Sequence, residues 1–179
     1  MKILKTVSYE EVEKIFKTDH PVNDFPGHET NGWALRHAIS GANKKCRGIW
    51  SYVELEPKEI LSIFLPWHEY DCEKNNPLIP PKTKMNVGDT VIKILNDKTY
   101  SSNNPVCWRK IDYWIKREKI VPLFLSTKPV TNLPEYEAYR DIENIQGNLF
   151  HLDGFHRMIS LGLKGNYTTP IYAYVAGIK

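Results

Sequence analysis

The sequence predicts an α/β domain, a small mixed sheet flanked by helices. Three observations predict it. Short apolar runs at Val121–Ser126, Leu149–Leu152 and Ile171–Val175 have the length of strands. Apolar residues at helical spacing mark amphipathic helices, as at Trp108, Ile111, Trp114 and Ile115. Turn residues separate the two kinds of segment, most sharply at Asp153-Gly154.

In chain order, Ile3 to Val7 reads as a short edge strand. Ser8 and Glu11 form a capping box that opens a helix. Val12, Ile15 and Phe16 are its apolar stripe, and Pro21 ends it. Residues 22–32 are polar and turn-rich. Trp33 to Ser40 fits a second helix with Gly41 as its stop. Gly48 to Leu55 reads as a strand. Pro57 opens a helix with Ile60, Leu61, Phe64 and Leu65 on one face, broken by Pro66. Asn75-Asn76-Pro77 and Pro80-Pro81 make residues 73–85 an extended loop. Val87 to Leu95, with Val87, Val91, Ile92 and Ile94 apolar, is expected to be a strand. Asn104-Pro105 starts the Trp108 helix, which runs to about Lys119. Residues 127–146 form an insertion with an acidic, helix-like run at Leu133–Glu143. The alternation of Tyr172 and Tyr174 with Ile171, Ala173 and Val175 suits a half-exposed last strand.

Composition narrows the function classes. At 179 residues the chain is most simply one domain, with residues 1–45 as an N-terminal helical extension. The apolar share of 41% and charged share of 25% are those of a globular protein. The net charge of +3 comes without a concentrated basic stripe, which argues against nucleic acid as a partner. No apolar run approaches the roughly 18 residues that span a bilayer, so no membrane partner is expected. Met1 to Glu13 has no apolar h-region, and a reducing cytoplasm is the expected compartment. Cys46, Cys72 and Cys107 are far apart with no CxxC pair. They read as buried free thiols rather than as a zinc site, a disulfide framework or a catalytic cysteine.

The stretch Asn148 to Leu163 is the chief candidate for function. Strand Leu149–Leu152 leads through Asp153-Gly154 into a helix from about His156 to Lys164, stopped by Gly165. The free N–H groups and positive dipole end of that helix suit an anion. Gly154 lets a phosphate approach the backbone, Arg157 offers a planar fork of donors, and His156 a donor that can carry charge. The competing reading is an ordinary connection, in which Asp153 caps the helix and Arg157 pairs with a surface acid.

Asp153-Gly154-Phe155-His156-Arg157 resembles the Asp-Gly-x-x-Arg signature of the ParB/sulfiredoxin superfamily. The helix Ile111–Lys119 and the run Ile120–Leu125 resemble the helix and strand that precede that motif, and Thr169–Val175 its closing strand. The resemblance covers residues 49–176. It implies a ParB/sulfiredoxin-like fold and a nucleotide-dependent phosphotransferase, akin to the kinases that phosphorylate free serine. ATP or ADP would sit on Gly154, His156 and Arg157, with Mg on Asp153. Sulfiredoxin's motif cysteine is replaced by Phe155, so sulfinic acid reduction is not expected. The helix-turn-helix of partition proteins has no counterpart after the last strand.

Two His-Glu pairs complete the candidates. His68-Glu69 follows Pro66, and in the phosphotransferase reading Glu69 is the base that accepts a substrate hydroxyl proton, assisted by His68. The plain alternative is a solvated loop. His28-Glu29 repeats the dipeptide and is expected to bind substrate. Two functional alternatives stay open. One is a nucleotide-independent biosynthetic enzyme that uses the same anion site for a substrate carboxylate. The other is a nucleotide-gated nucleic-acid-binding module.

Overall fold

The computed structural model describes residues 1–19, 35–68, 77–118, 121–130, 142–165 and 170–179, with the backbone alone at 35 and 36. The described elements run β1 (Lys2–Val7), α1 (Tyr9–Asp19), a π-helical turn (Leu35–Ile39) continuing into α2 (Ser40–Lys45), β2 (Trp50–Leu55) and α3 (Pro57–Leu61). Then come α4 (Val87–Asn96), α5 (Tyr100–Asn103), α6 (Pro105–Ile115), β3 (Leu123–Ser126), β4 (Phe150–Asp153), α7 (Phe155–Lys164) and β5 (Ile171–Ala176). The five strands form one mixed sheet in the order β1-β2-β5-β3-β4. Only β3 and β5 pair in parallel; the other neighbours are antiparallel. The α/β class with helices flanking a mixed sheet is therefore what the chain adopts.

Alternation along the strands sorts side chains onto two faces. Leu123, Leu125, Ala173 and Val175 pack with Ile60, Val91, Ile111, Met158 and Ile159 from α3, α4, α6 and α7. On the other face Phe124, Tyr174 and Trp50 pack with Val12, Phe16, Ile39 and Ala42. The described residues before Cys46 thus contribute an edge strand to this sheet and helices to its second face. Among the described residues, no helix is long and apolar enough to cross a membrane.

Several local expectations hold. The Ser8 Oγ accepts the Glu11 N–H at 3.2 Å and caps α1, while the Glu11 carboxylate, expected to complete the box, accepts from Lys5 Nζ. Gly165 ends α7 with φ +67°. Others need correction. Residues 87–95 are a helix, not a strand. Asn86 Oδ1 accepts the Asp89 N–H at 2.8 Å and Asp89 Oδ2 accepts the Asn86 N–H at 3.1 Å. This reciprocal cap satisfies the first turn. Val87, Val91 and Ile94 then face the core at i, i+4 and i+7, while Ile92 and Leu95 are 59% and 65% exposed.

Gly41 does not stop the second helix, which continues to Lys45. A Cβ at Gly41 would stand 2.7 Å from Val130 Cγ1, so the glycine is there for close approach. The Pro57 helix ends at Leu61 instead of Leu65. Downstream backbone groups find partners elsewhere: Phe64 N–H donates to Leu149 O at 2.9 Å and Leu65 N–H to Met85 O at 3.1 Å. β5 is also not half-exposed. It lies between β2 and β3, and apart from Tyr172 its residues are buried. The acidic run Leu133–Glu143 falls mostly outside the described residues.

Gly162 marks the tightest approach of α7 to α4. A Cβ there would meet Val91 Cγ2 at 2.6 Å and Val87 Cγ1 at 3.1 Å. Overpacking costs about 1–3 kcal/mol. Alanine's helix propensity returns up to about 1 kcal/mol. Gly162→Ala is therefore expected to destabilise the protein, read as a lower urea midpoint. A raised midpoint would show that the two helices have slack between them.

Candidate functional site

The motif forms the predicted strand, glycine turn and helix. Gly154 is the N-cap of α7 with φ +97°, a left-handed conformation that favours glycine. Asp153 pairs with Phe124, and the register shifts between that pair and Leu125–His151, a bulge just before the turn. Arg157 turns inward: its Nη2 donates to Asp153 Oδ2 at 2.8 Å, and its guanidinium carbon lies 5.1 Å from the Trp114 ring centre. The side chain is 3% exposed, and Nη1 is buried with no hydrogen-bond partner. Burial pushes the guanidinium down from its ordinary value, while the Asp153 and Asp19 carboxylates push it back up. The plainer reading is corrected in both parts: Arg157 is buried against Asp153 and not on a surface acid, and Asp153 is not the cap.

In this geometry Arg157 lies against Gly154 and points to Asp153. Arg157 Nη2 and Nε stand 2.9 and 3.1 Å from the position of a Cβ on Gly154, and Leu123 Cδ2 stands 3.1 Å from it. The space above the glycine is filled by the chain's own guanidinium. Asp153, the expected magnesium ligand, is occupied by the same ion pair.

His156 and His68 come together at a different place. Cys107 Sγ lies 3.4 Å from His68 Nε2 and 3.5 Å from His156 Nε2. All three ligand atoms lie within 4.8 Å of one another. Three separate elements bring them there. Cys107 is in the first turn of α6, after Pro105. His156 is in the first turn of α7. His68 sits on an extended segment fixed by exchange with Ile79: His68 N–H donates to Ile79 O at 2.9 Å, and Ile79 N–H to His68 O at 3.4 Å. The His68 ring stacks on Phe155 at 4.1 Å, and His151 meets the same ring edge-on at 5.8 Å. Phe155 is thus the aromatic spacer between two histidines.

Helices α6 and α7 run side by side in the same direction. Cys107 meets His156, Ser160 Oγ donates to Ile111 O at 2.8 Å, and Lys164 Nζ donates to Arg117 O at 2.8 Å, with sequence offsets of 49, 49 and 47. Their N-termini therefore lie together, and neither has a side-chain cap. Two aligned dipoles make the cluster's surroundings electropositive. Lys110, one turn beyond Cys107, adds a half-buried cation whose pKa burial pushes down. Burial, with lesser repulsion from Lys110 and His151, pushes His68 down to about 3, so its ring is neutral at pH 7. Burial likewise pushes His151 down to about 4.

Of the residues singled out in the sequence, the structure brings His68 and His156 together around Cys107, while Arg157 and Asp153 pair with each other beside Gly154. Glu69, His28 and Glu29 lie outside the described residues. Cys107 and His151 are the functional candidates that sequence reasoning missed. Cys107 is buried as expected, but two imidazoles flank it. No curated protein and no solved structure matches the chain. A family model described as a family of unknown function (DUF6309) matches residues 1–179, and the chain belongs to that family.

Proposed function

We propose that the protein is a small-molecule enzyme that works without a nucleotide, with His68, Cys107 and His156 as its reactive centre. One observation carries this reading: a cysteine sulfur within 3.5 Å of two imidazole nitrogens, at the joined N-termini of two parallel helices. His156 is placed to accept or pass protons, His68 stays neutral and holds the thiol, and a sulfur in a helix first turn sits where negative charge is favoured. The electropositive surroundings select an anionic substrate, and a carboxylate is the simplest fit. The β4–Gly154–α7 unit supports kinship with the ParB/sulfiredoxin fold. Within that kinship, the filled space above Gly154 favours the nucleotide-independent alternative over phosphotransfer.

A thermal-shift panel tests it. Small carboxylate metabolites are compared with ATP, ADP and CTP plus magnesium. A true ligand at about a hundredfold excess over Kd adds about 2.7 kcal/mol of stability. The expected result is a shift with a carboxylate and none with nucleotides. With the substrate so found, His156→Ala is expected to lower turnover by about 10²–10⁴-fold. A nucleotide shift that disappears in Arg157→Ala would overturn the reading.

A further inference from the structure

We propose that His68, Cys107 and His156 bind a zinc-class transition-metal ion with one coordination position left for substrate or water. The inference deepens the proposed function and rests on it, since it names the group that would make the centre reactive. The ligand set is chemically apt. One thiolate and two neutral imidazoles suit zinc, whereas magnesium takes oxygen ligands. The spacing is apt as well. Tetrahedral zinc with Zn–S of about 2.3 Å and Zn–N of about 2.0–2.1 Å puts sulfur and nitrogen about 3.6 Å apart. The two sulfur–nitrogen distances are 3.4 and 3.5 Å, and the remaining pair falls within 4.8 Å. Tetrahedral geometry puts the two nitrogens about 3.3 Å apart, and any closure needed falls on that pair.

The anchoring fits a metal better than a bare thiol. The ligands come from two helix starts and one backbone-paired extended segment, so their separation is set by the fold and not by one flexible loop. Phe155, stacked on His68, fixes that ring's plane. Cys107 is 0% exposed, which hinders a nucleophile that must reach substrate but not a ligand whose metal presents the open position. Three protein donors plus one exchangeable position is the arrangement of catalytic rather than structural zinc. Lys110 and the paired dipoles would hold an anion at that fourth position.

The test uses the full chain purified without chelator. Metal content is measured by mass spectrometry, and the metal-free protein is titrated with zinc and with cobalt(II), whose thiolate charge-transfer band reports sulfur ligation. The expected result is about one zinc per chain, a cobalt–thiolate band, and at least about a hundredfold weaker zinc binding in His156→Ala and in Cys107→Ser. Circular dichroism checks that both variants fold; His156, which is half-buried, is the safer of the two. Alkylation of Cys107 should be slow with zinc and faster without it. Substoichiometric metal, or zinc affinity unchanged in both variants, overturns the inference. If Cys107 is then alkylated readily and turnover of the carboxylate substrate is lost with it, the thiol–imidazole centre stands without its metal. If neither metal nor alkylation affects turnover, both readings fall.

Discussion

Acidification from pH 6.5 to 4.5 is expected to remove about 4 kcal/mol of folding stability through two histidines alone. His68 and His151 are neutral in the fold because burial pushes their pKa values down to about 3 and about 4 from an ordinary value of 6.5. In the unfolded chain both bind protons below about pH 6.5. The unfolded state then holds more protons, so stability is complete above that pH and declines as pH falls toward 4. Each group contributes at most about 1.36 kcal/mol per pH unit, about half of that at pH 6.5 where the unfolded imidazoles are half protonated. The total loss is a large part of the stability of a small domain, about 5–15 kcal/mol. Urea midpoints at half-unit pH steps on metal-free protein measure it. Carboxylates add to the acid slope, so His151→Leu isolates the histidine share: it should flatten the slope by at most about 1.4 kcal/mol per pH unit. An unchanged slope in that variant would show that His151 does not bury a neutral ring.

Asp153→Ala is expected to cost about 3–5 kcal/mol, because it leaves a buried guanidinium without its partner. Arg157 is 3% exposed and already carries one orphaned nitrogen, so it has little solvent to fall back on. Asp19, whose Oδ2 is also buried without a hydrogen-bond partner, contributes attraction but no bond to it. Replacing both partners by apolar residues, as in Asp153→Leu with Arg157→Met, should cost less than the single change. Chemical denaturation of the two variants decides it. A loss below about 1 kcal/mol for Asp153→Ala would mean that Arg157 is free to turn outward, which would reopen the phosphate role of the turn.

The parts of the fold legible in the sequence were those set by local chemistry. The Ser8 cap, Pro57 and Pro105 at helix starts, and the Asp153-Gly154 turn each place an element without help from afar. Residues 87–95 read as a strand from four apolar residues, although Val87, Val91 and Ile94 also carry helical spacing. The Asn86–Asp89 pair was the overlooked signal, chemically the kind of box expected at Ser8 and Glu11. Gly41 and the end of α3 depended on tertiary neighbours, Val130 in one case and Leu149 and Met85 in the other.

The candidate site was legible only in pieces. His68 and His156 stood out as functional residue types beside a proline and a glycine turn. Cys107 did not, since it lies 39 residues from His68 and 49 from His156, and no spacing rule links them. What brings them together is the parallel packing of α6 on α7 and the pairing of His68 with Ile79. Arg157 was recognised as a cation that needs an anion if buried. The anion proved to be its own neighbour Asp153.

Diffraction at the zinc absorption edge, on crystals of protein purified without chelator, tests the central claim most directly. The account predicts one anomalous peak about 2.0–2.3 Å from Cys107 Sγ, His68 Nε2 and His156 Nε2, and none beside Asp153. A map with no peak among those three atoms, or with density for a phosphate-bearing ligand over Gly154 and Arg157 swung away from Asp153, would contradict it.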